Sequence, residues 1–243
     1  MKKSVLSRLS VISCAFLLVA MIASVAFAQK PSTVVPVPRD KEDWWVQRNN
    51  SMNERVKQGN VDLIFIGDSI THGWEGDGKE VWAKYYTKRN AVNLGISGDR
   101  TEHVLWRLEN GNISGISPKL AVIMIGTNNA GANTPEEIAL GIKKIIKKLH
   151  KDLPKTKVLL LSIFPREEKP GELRAKLAKV NALIAKYDDG KNVFVLDIGP
   201  KFLQPDGTLP KEIMPDALHP NAQGYQIWAD AIEGSVVKLM GEK

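Results

Sequence analysis

Five short runs rich in Val, Ile and Leu recur along this chain, at residues 61–67, 91–96, 120–125, 157–164 and 192–198. Their spacing constrains the fold more than any other feature. A near-continuous apolar run is what a strand needs when both faces of its sheet are covered. Between the runs lie segments of helical periodicity at about 40–58, 78–88, 101–109, 135–152, 172–188 and 222–239. Regular alternation of strand and helix predicts an α/β fold, a parallel sheet with helices on both faces in a three-layer α/β/α sandwich. The segment 135–152 shows the pattern plainly, with Ile138, Ile142, Ile145, Ile146 and Leu149 on one stripe and Lys143, Lys144, Lys147, Lys148 and Lys151 off it. That lysine face reads as a solvated helix surface, with an acidic membrane as the alternative partner. Trp44, Trp45, Trp82 and Trp228 fall in helical patterns, where filling of the core or a groove is expected.

The chain divides into three parts. Residues 1–28 read as a secretory signal: Lys2, Lys3 and Arg8 form a basic start, 11–26 is an apolar run, and Ala26-Phe27-Ala28 is a small-x-small cleavage site before Gln29. An uncleaved anchor and a lipoprotein cysteine at Cys14 are the alternatives, the second weakened because the apolar core follows Cys14 and does not precede it. Residues 29–39 hold three prolines without periodicity and read as an extended linker draped over the surface. Residues 40–243 read as a single domain, and the 43% hydrophobic and 25% charged residues of the whole chain are ordinary for a globular protein. Disordered, collagen-like and disulfide-scaffold classes are thereby excluded. Cys14 is the one cysteine, so no intramolecular disulfide or cysteine-rich zinc site forms, and cleavage leaves a chain without thiols. The signal carries three basic residues and no acidic one, so cleavage takes the net charge from +7 to +4. With no basic stripe or motif beside that charge, no nucleic-acid partner is expected. The expected location is secreted or periplasmic, with no stable membrane insertion after cleavage.

In open parallel sheets, ligands gather beyond the carboxyl ends of the strands. The first run ends in Gly67-Asp68-Ser69-Ile70-Thr71, the second in Gly95-Ile96-Ser97-Gly98-Asp99-Arg100, and the third in Gly126-Thr127-Asn128-Asn129. In a sheet of order 2-1-3-4-5 these three ends share one crevice. Ser69, after a buried strand, is placed to present its hydroxyl there. A serine needs a base that is itself oriented by a carboxylate. Of the four histidines, His150 reads as a surface residue and His103 as structural. His72, three residues from Ser69, is a supporting candidate. His219 stands apart, because Asp216-Ala217-Leu218-His219-Pro220 precedes the last helix and a three-residue separation lets the carboxylate fix the imidazole tautomer. Alone, Asp-x-x-His equally suits a helix-entry turn or half a metal site.

Ester hydrolysis also needs donors where the tetrahedral oxyanion develops, each worth about 3 kcal/mol. Gly98 can bring a backbone N–H close and Asn128 can offer its amide, beside the N–H of Ser69. Gly98 also suits a plain turn, and Asn128 the satisfaction of loop backbone.

Gly67-Asp68-Ser69, Gly98, Gly126-Thr127-Asn128 and Asp216-x-x-His219 occur in the order of the four blocks of the SGNH (GDSL-type) hydrolases, and the chain resembles that family over about residues 40–240. The stretches 93–99 and 103–108, with 125–129, are most similar to the branch of the catalytic subunits of intracellular platelet-activating factor acetylhydrolase and their bacterial relatives. The resemblance implies a flavodoxin-like five-stranded sheet of order 2-1-3-4-5, a Ser69 nucleophile, a His219 base oriented by Asp216, an oxyanion hole from Ser69, Gly98 and Asn128, no metal and no cofactor. Ile70 replaces the leucine of the family name, and Asn129 an aspartate common in the family, leaving the role of position 129 open. The activity that the resemblance implies is that of a serine carboxylester hydrolase for short, foremost acetyl, esters; the alcohol is left open among a sugar, a lipid and an aryl group, and the expected export, not the residues, points to a small-molecule or polysaccharide ester. Trp74, Arg100, Arg166 and Leu218 are candidates for the pocket, each equally suited to loop packing. A lysophospholipase or thioesterase of the same fold, a phosphate-binding domain using the 95–100 loop, and a non-catalytic binding protein on this scaffold are the alternatives. The phosphate reading lacks the G-x-G-x-x-G and P-loop spacings.

Overall fold

The computed structural model describes residues 30–242; residues 1–28, read above as a secretory signal and including Cys14, lie outside them. Five strands, β1 Leu63–Gly67, β2 Ala91–Gly95, β3 Leu120–Met124, β4 Lys157–Leu161 and β5 Val193–Leu196, form one parallel sheet in the order β2-β1-β3-β4-β5. Side chains alternate across it. Ile64, Ile66, Val92, Leu94, Ile123 and Leu160 point into one core, and Leu63, Phe65, Val122, Met124, Leu159 and Leu161 into the other. Both faces are covered, so the strands carry no polar alternation.

The helices are α1 Asp43–Lys57, the single turn α2 Ser69–His72, α3 Lys79–Tyr85, α4 Thr101–Glu109, α5 Pro135–Asp152, α6 Glu172–Ile184 and α7 Ala222–Met240. The first core packs α1, α4, α5 and α6; the second packs α3 and α7. The predicted helices stand, with ends moved by a few residues. Helix α5 starts at residue 135 because Thr134 caps it: its hydroxyl accepts from Glu137 N–H at 3.2 Å, the Glu137 carboxylate accepts from Thr134 N–H at 3.0 Å, and Pro135 occupies the first position. The Ile138, Ile142, Ile145 and Leu149 stripe is fully buried. No helix among the described residues is long and apolar enough to cross a membrane.

Residues 30–39 run over the surface but are tied down at Thr33. They make a 3₁₀ turn at Ser32–Val34 whose Thr33 is fully buried, with its hydroxyl donating to Glu137 O at 2.7 Å and its carbonyl accepting from Thr101 Oγ1 at 3.0 Å. The segment is a strap across the amino ends of α4 and α5. His150 is half-buried, not on the surface, and its Nε2 is enclosed without a partner. Trp45 and Trp228 are core residues as expected, whereas Trp44 is 45% exposed.

Candidate active site

The strand order places the ends of β2, β1 and β3 side by side. At the end of β1 the chain turns at once into α2. A Cβ on Gly67 would lie 2.0 Å from Thr71 Oγ1 and 2.5 Å from Met124 O, so only glycine permits the sharp turn that lifts Ser69 above the sheet. Asp68 caps that turn, accepting from Ile70 N–H at 3.1 Å. From the other side, the Tyr225 hydroxyl in the first turn of α7 donates to Ile70 O at 2.7 Å, which ties the serine turn to the helix that follows His219.

Across 150 positions of chain, the Ser69 hydroxyl meets His219 Nε2 at 2.8 Å, and His219 Nδ1 meets Asp216 Oδ2 at 2.6 Å. Asp216 Oδ1 accepts from the N–H groups of His219 and Leu218 at 2.7 and 3.0 Å. Burial pushes this carboxyl up, but the hydrogen bonds from the His219 backbone and ring and from Leu218 outweigh it and hold the group below its ordinary range. A charged Asp216 accepts a hydrogen bond from Nδ1–H, which leaves Nε2 as acceptor for the serine O–H. The loop that carries both residues is bent by Ala217 at φ +57°, a left-handed conformation costing about 1 kcal/mol. It is secured by Glu167 N–H donating to Ala217 O at 2.9 Å. Arg174 in turn braces the 166–167 loop by donating to the carbonyls of Arg166 and Glu167.

Gly98, at φ +76°, lies in the loop after β2 whose Ser97 lines the same groove as Ser69. Among the described residues, neither its N–H nor that of Ser69 donates to another protein group. Two free N–H groups at a strand-to-helix turn suit a developing negative charge. Asn128, half-buried, gives one amide hydrogen to Asp99 O at 3.0 Å and keeps the other. Asp99 anchors the loop. Its side chain is fully buried, bound by Arg107 Nε at 2.8 Å, Trp45 Nε1 at 2.7 Å and Arg39 Nη1 at 3.1 Å. Asn129 has a structural answer: fully buried, it accepts from Thr101 N–H at 3.0 Å and donates to Glu102 at 3.0 Å and Asn133 at 3.2 Å, joining the end of β3 to the start of α4.

The relay faces an open groove of about 610 Å³ lined by Ser69, His72, Glu75, Asp77, Ser97 and His219 among others. His72 Nδ1 lies 3.0 Å from Ser97 Oγ, and burial and the Arg48 charge push the imidazole below its usual range. His103 accepts from Arg100 N–H at 3.0 Å and is structural, as expected. Trp74 does not line the groove and is corrected to a core residue. It is 1% exposed, 4.5 Å from the Tyr225 ring and 4.9 Å from that of Trp228, because the α2 turn swings it inward. Arg100 is corrected too: it pairs with Glu102 at 3.2 Å and lines a separate groove between the strap and α4. Arg166 donates to Thr127 Oγ1 at 3.2 Å on the β3 and β4 side of the site, and Leu218 packs half-buried against the second core.

Fold and site together define an ester hydrolase of the α/β class. The chain belongs to the GDSL-like lipase/acylhydrolase family, whose model matches residues 65–227. It is 37% identical over 202 residues to platelet-activating factor acetylhydrolase IB subunit alpha2 of Gallus gallus, covering 83% of this chain and 87% of that one. To subunit alpha1 of Homo sapiens it is 34% identical over 216 residues, covering 88% and 91%. Among solved structures, a GDSL-like lipase from Bacteroides thetaiotaomicron superposes with a TM-score of 0.64 at 24% identity, covering 81% of this chain and 97% of that one. An acetylxylan esterase from Geobacillus stearothermophilus does so with a TM-score of 0.57 at 20% identity, covering 76% and 96%. At these identities the two structures speak for the fold.

Proposed function

We propose that this chain is an exported carboxylester hydrolase that removes short acyl groups, acetyl foremost, from a hydroxyl-rich alcohol such as a carbohydrate. The observation that carries the reading is the unbroken Ser69–His219–Asp216 relay opening on a groove beside two unpartnered N–H groups. In the first half-reaction, His219 Nε2 takes the Ser69 proton as Oγ bonds to the acyl carbon. The carbonyl oxygen, now negative, is held by the N–H groups of Ser69 and Gly98 and the remaining amide hydrogen of Asn128. The carbon–alkoxy bond then breaks and the alcohol leaves with the proton from His219. In the second, His219 takes a proton from water as the oxygen adds to the acyl carbon, and the acyl–Oγ bond then breaks with that proton passing from His219 to Oγ, which releases the acid and restores Ser69.

Support for a short acyl group comes from the acetylhydrolase relatives. Support for a polar alcohol comes from the groove, whose His72, Glu75, Asp77 and Ser97 offer hydrogen-bonding groups beside Pro220 and Tyr225. Export rests on the 1–28 segment. The test is turnover of p-nitrophenyl esters of rising acyl length by the wild type, Ser69→Ala and His219→Ala. Acetylated xylan, acetylated sugars and acetylated phospholipid analogues are then compared. The expected result is greatest activity on acetate, none in either variant, and preference for the carbohydrate. No turnover of any ester by the wild type would overturn the reading.

A further inference from the structure

The residue that sets the oxyanion loop comes from outside the stretch that the family model matches. Arg39 closes the 30–39 strap, and two of its guanidinium nitrogens stand 3.1 and 3.2 Å from where a Cβ on Gly98 would sit. Its Nη1 donates to Ser97 O at 2.6 Å and to Asp99 Oδ1 at 3.1 Å. The guanidinium is itself fixed. Nε and Nη2 donate to the two carboxylate oxygens of Glu42 at 2.9 and 2.6 Å, the Trp44 ring lies 5.0 Å away, and the side chain is 14% exposed.

The carbonyl of Ser97 and the N–H of Gly98 are opposite ends of one planar peptide unit. Whatever fixes the first therefore aims the second. Nothing in the local sterics does so alone, because glycine accepts positive and negative φ about equally. Rotation of the Ser97–Gly98 plane would turn the N–H out of the site and the carbonyl into it. The bond from Arg39 opposes that rotation. Being charge-assisted, it also withdraws electron density from the carbonyl and makes the N–H at the other end a stronger donor. On the far side of Gly98, the Asp99 carbonyl is held by Asn128, so the carbonyls of the residues flanking the glycine are each pinned.

We propose that Arg39 is a positioning residue for the oxyanion hole, holding the Ser97–Gly98 peptide with its N–H toward the reacting carbonyl. The proposal rests on the Ser69 mechanism. Because Asp99 keeps Arg107 and Trp45 when Arg39 is removed, the substitution acts on the peptide and leaves the buried anchor in place.

The experiment measures kcat and KM for p-nitrophenyl acetate in the wild type, Ser69→Ala, Arg39→Ala and Arg39→Gln, the last keeping bulk without charge should the alanine variant not fold. In the arginine variants kcat falls about 10- to 100-fold with KM within about threefold, a fraction of what losing a whole oxyanion donor does. Guanidinium chloride at concentrations well below denaturing restores part of kcat in the alanine variant, a response that a merely structural role would not give. Unchanged kcat, a change confined to KM, or a loss that guanidinium leaves untouched would overturn the proposal. An inactive wild type or an active Ser69→Ala would overturn the serine mechanism instead.

Discussion

Asp68 is the carboxyl next to the nucleophile, and Asp68→Asn gives a measurable account of its state. The side chain is fully buried, accepts one hydrogen bond from Ile70 N–H, and has no partner on its second oxygen. No lysine or arginine pairs with it among the described residues. Burial, helped by the Asp99 charge and opposed by the Ile70 bond and the more distant Arg166, pushes it from 3.8 up to about 7. Below about pH 4 the group is neutral in the folded and unfolded chain alike. Between about pH 4 and 7 the unfolded chain ionises and the folded chain does not, so the folded state binds more protons and stability falls as pH rises. The fall is about 1.4 kcal/mol per pH unit, about 4 kcal/mol in all, and it levels off above about pH 7. Asparagine keeps the acceptor for Ile70 and has no charge to lose. Urea unfolding of both proteins from about pH 5 to 8.5 should therefore show Asp68→Asn gaining about 3 kcal/mol on the wild type across that range. A constant difference, or a wild type that gains as pH rises, would refute the reasoning, since it would mean that the carboxylate is ionised and paired.

Three further outcomes are expected. Asp216→Asn, which removes the charge that fixes the His219 tautomer, lowers kcat about a thousand- to ten-thousand-fold with little change in KM, read by steady-state kinetics on p-nitrophenyl acetate. Trp74→Ala acts on folding, not on selectivity: it loses about 3–5 kcal/mol in urea unfolding and leaves the acyl-length preference where it was. Tyr225→Phe, losing its bond to Ile70 O, costs about 1 kcal/mol and lowers kcat more than it raises KM, because the serine turn loses its tie to α7.

The sheet was legible because its strands are covered on both faces, and that leaves apolar runs too short for a helix, three of them closed by Gly67, Gly95 and Gly126. The proposed site residues Ser69, Gly98, Asn128, Asp216 and His219 stand out in the sequence for a related reason: each sits at a strand end or in the loop before the last helix, where few residues compete for a role. What escaped was set by distant contacts. Tyr225 reads as one more aromatic in an amphipathic helix, and only its approach to Ile70, 155 positions away, gives it a part. Arg39 sits in a proline-broken segment whose packing on the 97–99 loop no local pattern reveals. Trp74 failed the other way: its loop setting suggested the pocket, yet the short α2 turn rotates it into the aromatic core with Phe65, Tyr86 and Trp228. Asn221 with Gly224 carries a usable signal for the start of α7, since the Asn221 side chain accepts from Gly224 N–H at 3.1 Å, and with it the place of His219 just ahead.

The central claim is that Ser69, activated by His219, is the nucleophile. Labelling the protein with a fluorophosphonate, mapping the adduct by tandem mass spectrometry and following residual esterase activity tests it in one measurement. One adduct on Ser69, with activity falling in proportion to labelling and no adduct in Ser69→Ala, is the predicted result. An adduct on a different residue, or full activity with Ser69 fully labelled, would contradict the account.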